Sequence, residues 1–185
     1  MALLTLAEAK AQLDIDTSTD DLELQVYVNA LTATIERHVG PVEIRTVTET
    51  VNSRGPALAL TQAPVASLTS LTPLQMGGTA VAVEDVYVDP DSGVVRRADG
   101  GNFYGGPWRA VYQAGRGSVP PTINLAARIL LQHLWRTQYG ASRGLSGVGG
   151  GDDYSVTEPV PGWGYAIPNR VLQLLEPYKV PPGVA

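Results

Sequence analysis

Cysteine is absent from the chain, which excludes disulfides, thiolate metal sites and a catalytic thiol. Histidine is scarce: His38 and His133 fall in different predicted helices, and neither has a second His or Cys at ligand spacing. Both read as helix-surface residues, and His38 sits where it complements the C-terminal end of a helix dipole. No apolar run reaches the roughly 18 residues of a membrane span. The start also lacks a basic stretch followed by an apolar one. The expectation is a soluble protein made in the cytoplasm, with no membrane partner. Basic clusters are missing too, beyond Arg96–Arg97, which argues against a nucleic-acid reader.

What is present suits one domain with extensions. The 185 residues are 44% hydrophobic, 17% charged and only 6% aromatic, enough for a modest core. The net charge of −5 is localised. Residues 1–40 hold seven of the eighteen acids (Glu8, Asp14, Asp16, Asp20, Asp21, Glu23 and Glu36) but only two bases, Lys10 and Arg37. The remainder is balanced. Glycine (20) and proline (14) are plentiful and imply many turns or extended arms.

Sequences that carry chemistry fail on inspection. The acidic loop from Asp14 has Thr19 where a calcium loop needs glycine and Gln25 where it needs glutamate, so it reads as helix caps and a solvated loop. The Gly-rich stretch Gly144–Gly151 has no Lys-Ser/Thr ending and follows a helix, not a strand, so it is a linker and not a phosphate cradle. No Gly-x-Ser-x-Gly elbow occurs. Trp108 and Tyr112 share one strand face and read as core, whereas Trp163 and Tyr165 lie in a Pro/Gly-rich stretch and read equally as interface anchors or as residues docking on the parent domain. The chain therefore points away from enzymes, with no catalytic, cofactor or metal residues assigned.

The stretch Val119–Gly140 dominates the pattern. Pro120 and Pro121 suit the first turn of a helix, and Gly140 its end. Ile123, Ala127, Leu130 and Leu134 follow one helical face, widened by Leu125 and Ile129 on one side and Leu131 and Trp135 on the other. Asn124, Arg128, Gln132 and Arg136 step by four as a narrow polar strip. So apolar a helix has more than one neighbour. Before it, Thr5 and Glu8 predict a capping box for a helix over 6–13, and Asp20 opens a helix over 21–39 that Gly40-Pro41 stops. Residues 42–114 switch to period 2 and read as short strands. Val81–Val88 reads as a strand bulged at Glu84-Asp85. After the linker, Pro168 opens a short helix over 169–176.

The fold class is thus α+β. A mainly helical core has two N-terminal helices and one long helix (121–139), with a small antiparallel β-region and an extended C-terminal arm. The domains are a 1–140 core with its β-region at 42–114, a 141–153 linker, and a 154–185 arm.

That order of segments resembles the head-to-tail connector (adaptor) proteins of long-tailed double-stranded DNA phages, those of actinobacteria in particular. The resemblance is carried by TLAEAKAQLDID followed by DDLELQVYVNALTATIERHVG, by APVASLTSLT and VYVDPDSGVVRRADG, by WRAVYQAGRGSVPPTINLAARILLQHLW, and by the closing GYAIPNRVLQLLEPYKVPPGVA. It covers nearly the whole chain, with Gly144–Gly151 outside the matched pattern.

The resemblance implies a structural virion protein at the head–tail junction, or neck. It implies a homo-oligomeric ring, typically a dodecamer, docked on the portal protein and linked to a tail-side stopper or neck protein, with DNA passing through its lumen. On this reading Asn124, Arg128, Gln132 and Arg136 are the candidate subunit interface. Tyr154, Trp163, Tyr165, Leu174, Leu175 and Tyr178 are the candidate docking arm. The alternative is a monomeric module that binds peptide or carbohydrate in an aromatic-lined pocket built on Trp108 or Trp163.

Overall fold

The computed structural model describes residues 3–52, 55–139 and 167–180, and it is α+β. Among the described residues there are four α-helices: α1 (Leu6–Leu13), α2 (Asp21–Val39), α3 (Pro121–Tyr139) and α4 (Asn169–Leu175). Six strands form two antiparallel sheets. These are β1 (Arg45–Val51), β2 (Ala57–Ala59), β3 (Val65–Pro73), β4 (Val86–Val88), β5 (Val94–Arg97) and β6 (Trp108–Ala114). The chain falls into two compact units. One comprises Met1–Leu3, Thr34–Pro120 and Tyr178–Ala185, the other Leu4–Ala33 and Pro121–Pro177.

The β unit has its own core. One sheet runs β1-β6-β3 and the other β2-β5-β4. β6 is the centre of the first: Val51 pairs with Trp108 and Arg45 with Ala114 on one side, while β3 joins on the other with two bulges. Strand alternation decides what is buried. Trp108, Ala110, Tyr112 and Ala114 of β6 point inward with Val47 and Val51 of β1 and Val95 of β5. Phe103 meets Trp108 edge to face at 5.7 Å. The opposite side of β1, Thr46, Thr48 and Thr50, is exposed, as one face of an antiparallel sheet can be.

Tyr112 is fully buried and its hydroxyl is fully used. It donates to Glu49 Oε1 at 2.9 Å and accepts from the Gln62 backbone N–H at 3.1 Å. Burial pushes its phenol up to about 12. Glu49 also accepts from the Thr61 backbone and hydroxyl, so the strand β1 and the segment after β2 share one carboxylate.

The Val81–Val88 segment departs from the expected bulged strand. Val83–Asp85 forms a single 3₁₀ turn, and only Val86–Val88 pairs with β5. The Glu84-Asp85 interruption is long enough for an i→i+3 turn, with Asp85 N–H bonding Ala82 O at 3.1 Å, and this ends the ladder instead of bulging it.

In the helical unit, α3 buries Ile123, Ala126, Ala127, Leu130 and Leu131. Trp135 stacks edge to face on Tyr27 of α2 at 5.5 Å. Full burial of Ile123, Leu130 or Leu131 contributes about 1.5–3 kcal/mol each, and the alanines less. Leu125, expected to widen the apolar face, is instead 45% exposed, because the 100° step per residue carries it past the buried arc.

Candidate assembly surfaces

The polar strip of α3 lies against α1. Arg128 Nη2 donates to Glu8 Oε1 at 2.8 Å, and its Nε donates to Asn124 Oδ1 at 2.8 Å. Asn124 Nδ2 reaches the same Glu8 oxygen at 3.5 Å. One turn on, Gln12 Nε2 donates to Gln132 Oε1 at 3.4 Å. Three of the four strip residues thus hold α1 onto α3 inside the chain. Arg136 is exposed.

Glu8 is the hub of this contact. Its Oε2 accepts from the Thr5 backbone N–H at 2.9 Å and the Thr5 hydroxyl at 2.8 Å, while its own N–H donates back to Thr5 Oγ1 at 3.2 Å. This is the capping box expected from Thr5 and Glu8. The Thr5 hydrogen bonds lower the Glu8 pKa first, and the Arg128 guanidinium lowers it further. A residue read as a local cap is therefore also a tertiary contact, a role for which spacing carries no signal.

The C-terminal segment splits between the two units. In α4, Val171 and Leu175 are fully buried and Leu174 is half-buried, with α4 packed on α3. In the β unit, Arg116 Nη2 donates to the Tyr178 backbone oxygen at 3.2 Å, and its guanidinium lies 5.8 Å from the centre of the Tyr178 ring. Arg116 Nη1 also donates to Val39 O at 2.7 Å, at the end of α2 where the helix dipole favours a cation. Leu175 and Tyr178 thus serve the chain's own packing. Tyr154, Trp163 and Tyr165 lie outside the described residues, as does the linker 141–153.

Two features were not singled out from the sequence. Leu22 and Val26 of α2 are 88% and 66% exposed. The signal for them was available: they fall off the Leu24–Val28–Leu31–Ile35 face. The β unit also has an open cleft of about 410 Å³, lined by Met76, Arg97, Asn102, Tyr104 and Trp108 among others. Trp108 is only 1% exposed and is committed to Phe103, so Tyr104 is the one ring the cleft offers to a ligand. Among the described residues no three His, Cys, Asp or Glu side chains gather as metal ligands, and no helix is long and apolar enough to cross a membrane.

Comparison with known proteins places these surfaces in context. The family model described as "HCP: Head completion protein" matches residues 2–180. Among solved structures, a chain in the "Neck of empty GTA particle computed with C6 symmetry" is 20% identical with a TM-score of 0.66. A chain in the "Neck of native GTA particle computed with C12 symmetry" is 20% identical, and one in the "Virion of native gene transfer agent (GTA) particle" 22% identical, both with a TM-score of 0.61. Each match covers 99% of this chain and 92% of the other. A comparison with curated proteins returns no match.

Proposed function

The chain belongs to the head completion protein family, and from that premise we propose that it is a structural neck component of a phage-like particle. It forms a closed ring at the head–tail junction, docks on the portal and links it to a tail-side neck protein. DNA passes through the lumen, and the chain has no catalytic role. The observation that carries this reading is the fold likeness over 99% of the chain to a protein of a neck with C12 symmetry. One chain makes a ring through head-to-tail contacts that close by rotation, and a dodecamer is the stoichiometry we favour.

The candidate surfaces are assigned accordingly. Arg136 is the strip residue available to a neighbouring subunit, since Asn124, Arg128 and Gln132 are engaged with α1. Tyr154, Trp163 and Tyr165 supply the docking arm. Truncation of the whole 154–185 segment would also strip α4 from α3, so the arm is better tested by Trp163→Ala and Tyr165→Ala.

The mass of the purified chain, alone and mixed with portal particles, tests the ring. The expected result is a closed oligomer near twelve copies, free or on the portal. A monomer under both conditions, with no portal binding, overturns the proposal.

A further inference from the structure

α2 presents a row of apolar side chains to solvent. Leu22 and Val26 are 88% and 66% exposed, and Ala30 and Ala33 are exposed beyond them. At about 100° per residue these four lie on the side of α2 opposite buried Leu24, Val28 and Leu31. A single exposed leucine needs no explanation, but an apolar row three turns long is the kind of surface that partners cover.

The same unit carries a second, chemically different row on α3, exposed at its two ends and half-buried between them at Ile129 and Gln132. Leu125 is 45% exposed and Arg136, three turns on, is exposed at the other end. α3 has no acid anywhere in Pro121–Tyr139, and with Arg128 paired to Glu8 its exposed charge is Arg136. The N-terminal end of α2 is the reverse: Asp21 is paired with Lys10, but the exposed Asp14 and Asp16 of the preceding loop leave that end acidic.

The two rows match in length as well as in charge. Leu22 to Ala33 and Leu125 to Arg136 each span twelve residues, about 16 Å from end to end along a helix axis. Laid antiparallel, the acidic end of one meets Arg136 of the other, and Leu125 meets the small side chains of Ala30 and Ala33, which leave room for a leucine.

We propose that the partner for the α2 row is a second copy of this chain: Leu22–Ala33 of one copy docks antiparallel on the Leu125–Arg136 side of α3 in the next. The contact joins two different surfaces, as a head-to-tail ring requires. It rests on the ring reading above and names the surfaces that close it.

The natural absence of cysteine makes the contact directly testable. In the full chain, the double variant Ala33→Cys/Leu125→Cys is expected to oxidise to a covalent ladder of up to a full ring on a denaturing gel, while each single variant gives monomer. Val26→Asp, at an exposed position, is expected to keep the melting profile and shift the assembled mass to monomer. A double variant that stays monomeric after oxidation, or a Val26→Asp ring of unchanged mass, overturns the assignment while leaving the ring reading standing. A Val26→Asp ring that forms but no longer binds neck partners also overturns it, and gives the row to another protein. A wild-type chain that never assembles overturns the ring reading, and this one with it.

Discussion

At the scale of single residues, backbone geometry and hydrogen bonds decide what is replaceable. Gly40, after α2, has φ +74°, and a Cβ there would sit 1.8 Å from the Ala63 carbonyl oxygen. Gly77 has φ +80° with nothing within 4 Å. Gly77→Ala therefore carries only the left-handed strain of about 1–2 kcal/mol. Gly40→Ala adds a backbone collision and is expected to cost at least ~3 kcal/mol or to prevent folding. Urea denaturation of the two variants side by side measures the difference. The Gly40-Pro41 stop was legible as a helix end; the close approach of Ala63 was not, because a residue 23 positions away supplies the clash.

Glu8 gives the second residue-scale prediction. Its folded pKa lies below the ordinary 4.5, so its stabilisation is complete above about 4.5 and disappears as pH falls through the lowered folded value. Glu8→Gln keeps the cap geometry and loses the charge that meets Arg128. It is expected to cost about 1 kcal/mol at pH 7, with the gap to wild type closing on acidification. Denaturation midpoints at pH 7 and pH 3 check this; an equal gap at both would show that the charge is not what matters.

At the scale of elements, α4 is the informative case. Seven residues are too few to form a stable helix alone in water, so α4 exists because Val171 and Leu175 are buried against α3. Leu175→Ala is expected to destabilise this docking by about 2–4 kcal/mol, and half-buried Leu174→Ala by less. Hydrogen exchange over 169–175 should rise steeply in the first variant and little in the second, with the β-strands unaffected. Equal exchange in both variants would contradict the packing described. Helix limits were readable because caps, prolines and the 3.6 period are local signals. Val81–Val88 was not, since a strand's extent depends on whether a partner strand runs alongside, and β5 offers partners only to Val86, Tyr87 and Val88. The apolar excess of α3 was visible as periodicity, but periodicity cannot tell one covering neighbour from another. In the fold, α1, Tyr27 and α4 take up most of it.

At the scale of the whole molecule, the two units collect residues that are far apart in the chain, so neither follows from composition along it. The acidic N-terminal region is partly neutralised inside the helical unit, where Lys10 Nζ meets Asp21 at 2.7 Å and Arg128 meets Glu8. Asp14 and Asp16 stay exposed, and they are the charges that set the antiparallel sense of the proposed subunit contact. What the sequence determined by itself was whatever rests on neighbours in the chain. That covers the helices and their caps, the antiparallel β character, the buried Trp108 and Tyr112, and the segment order that resembles neck connectors. Tertiary structure alone decided which chemically equivalent surfaces are occupied. Asn124 and Arg128 are as polar as Arg136, and Leu22 is as apolar as Leu24, yet Asn124 and Arg128 bond to Glu8 and Leu24 is buried, whereas Arg136 and Leu22 are exposed. Burial is a property of contacts between distant residues, and no local pattern encodes which of two similar faces finds its contact within the same chain.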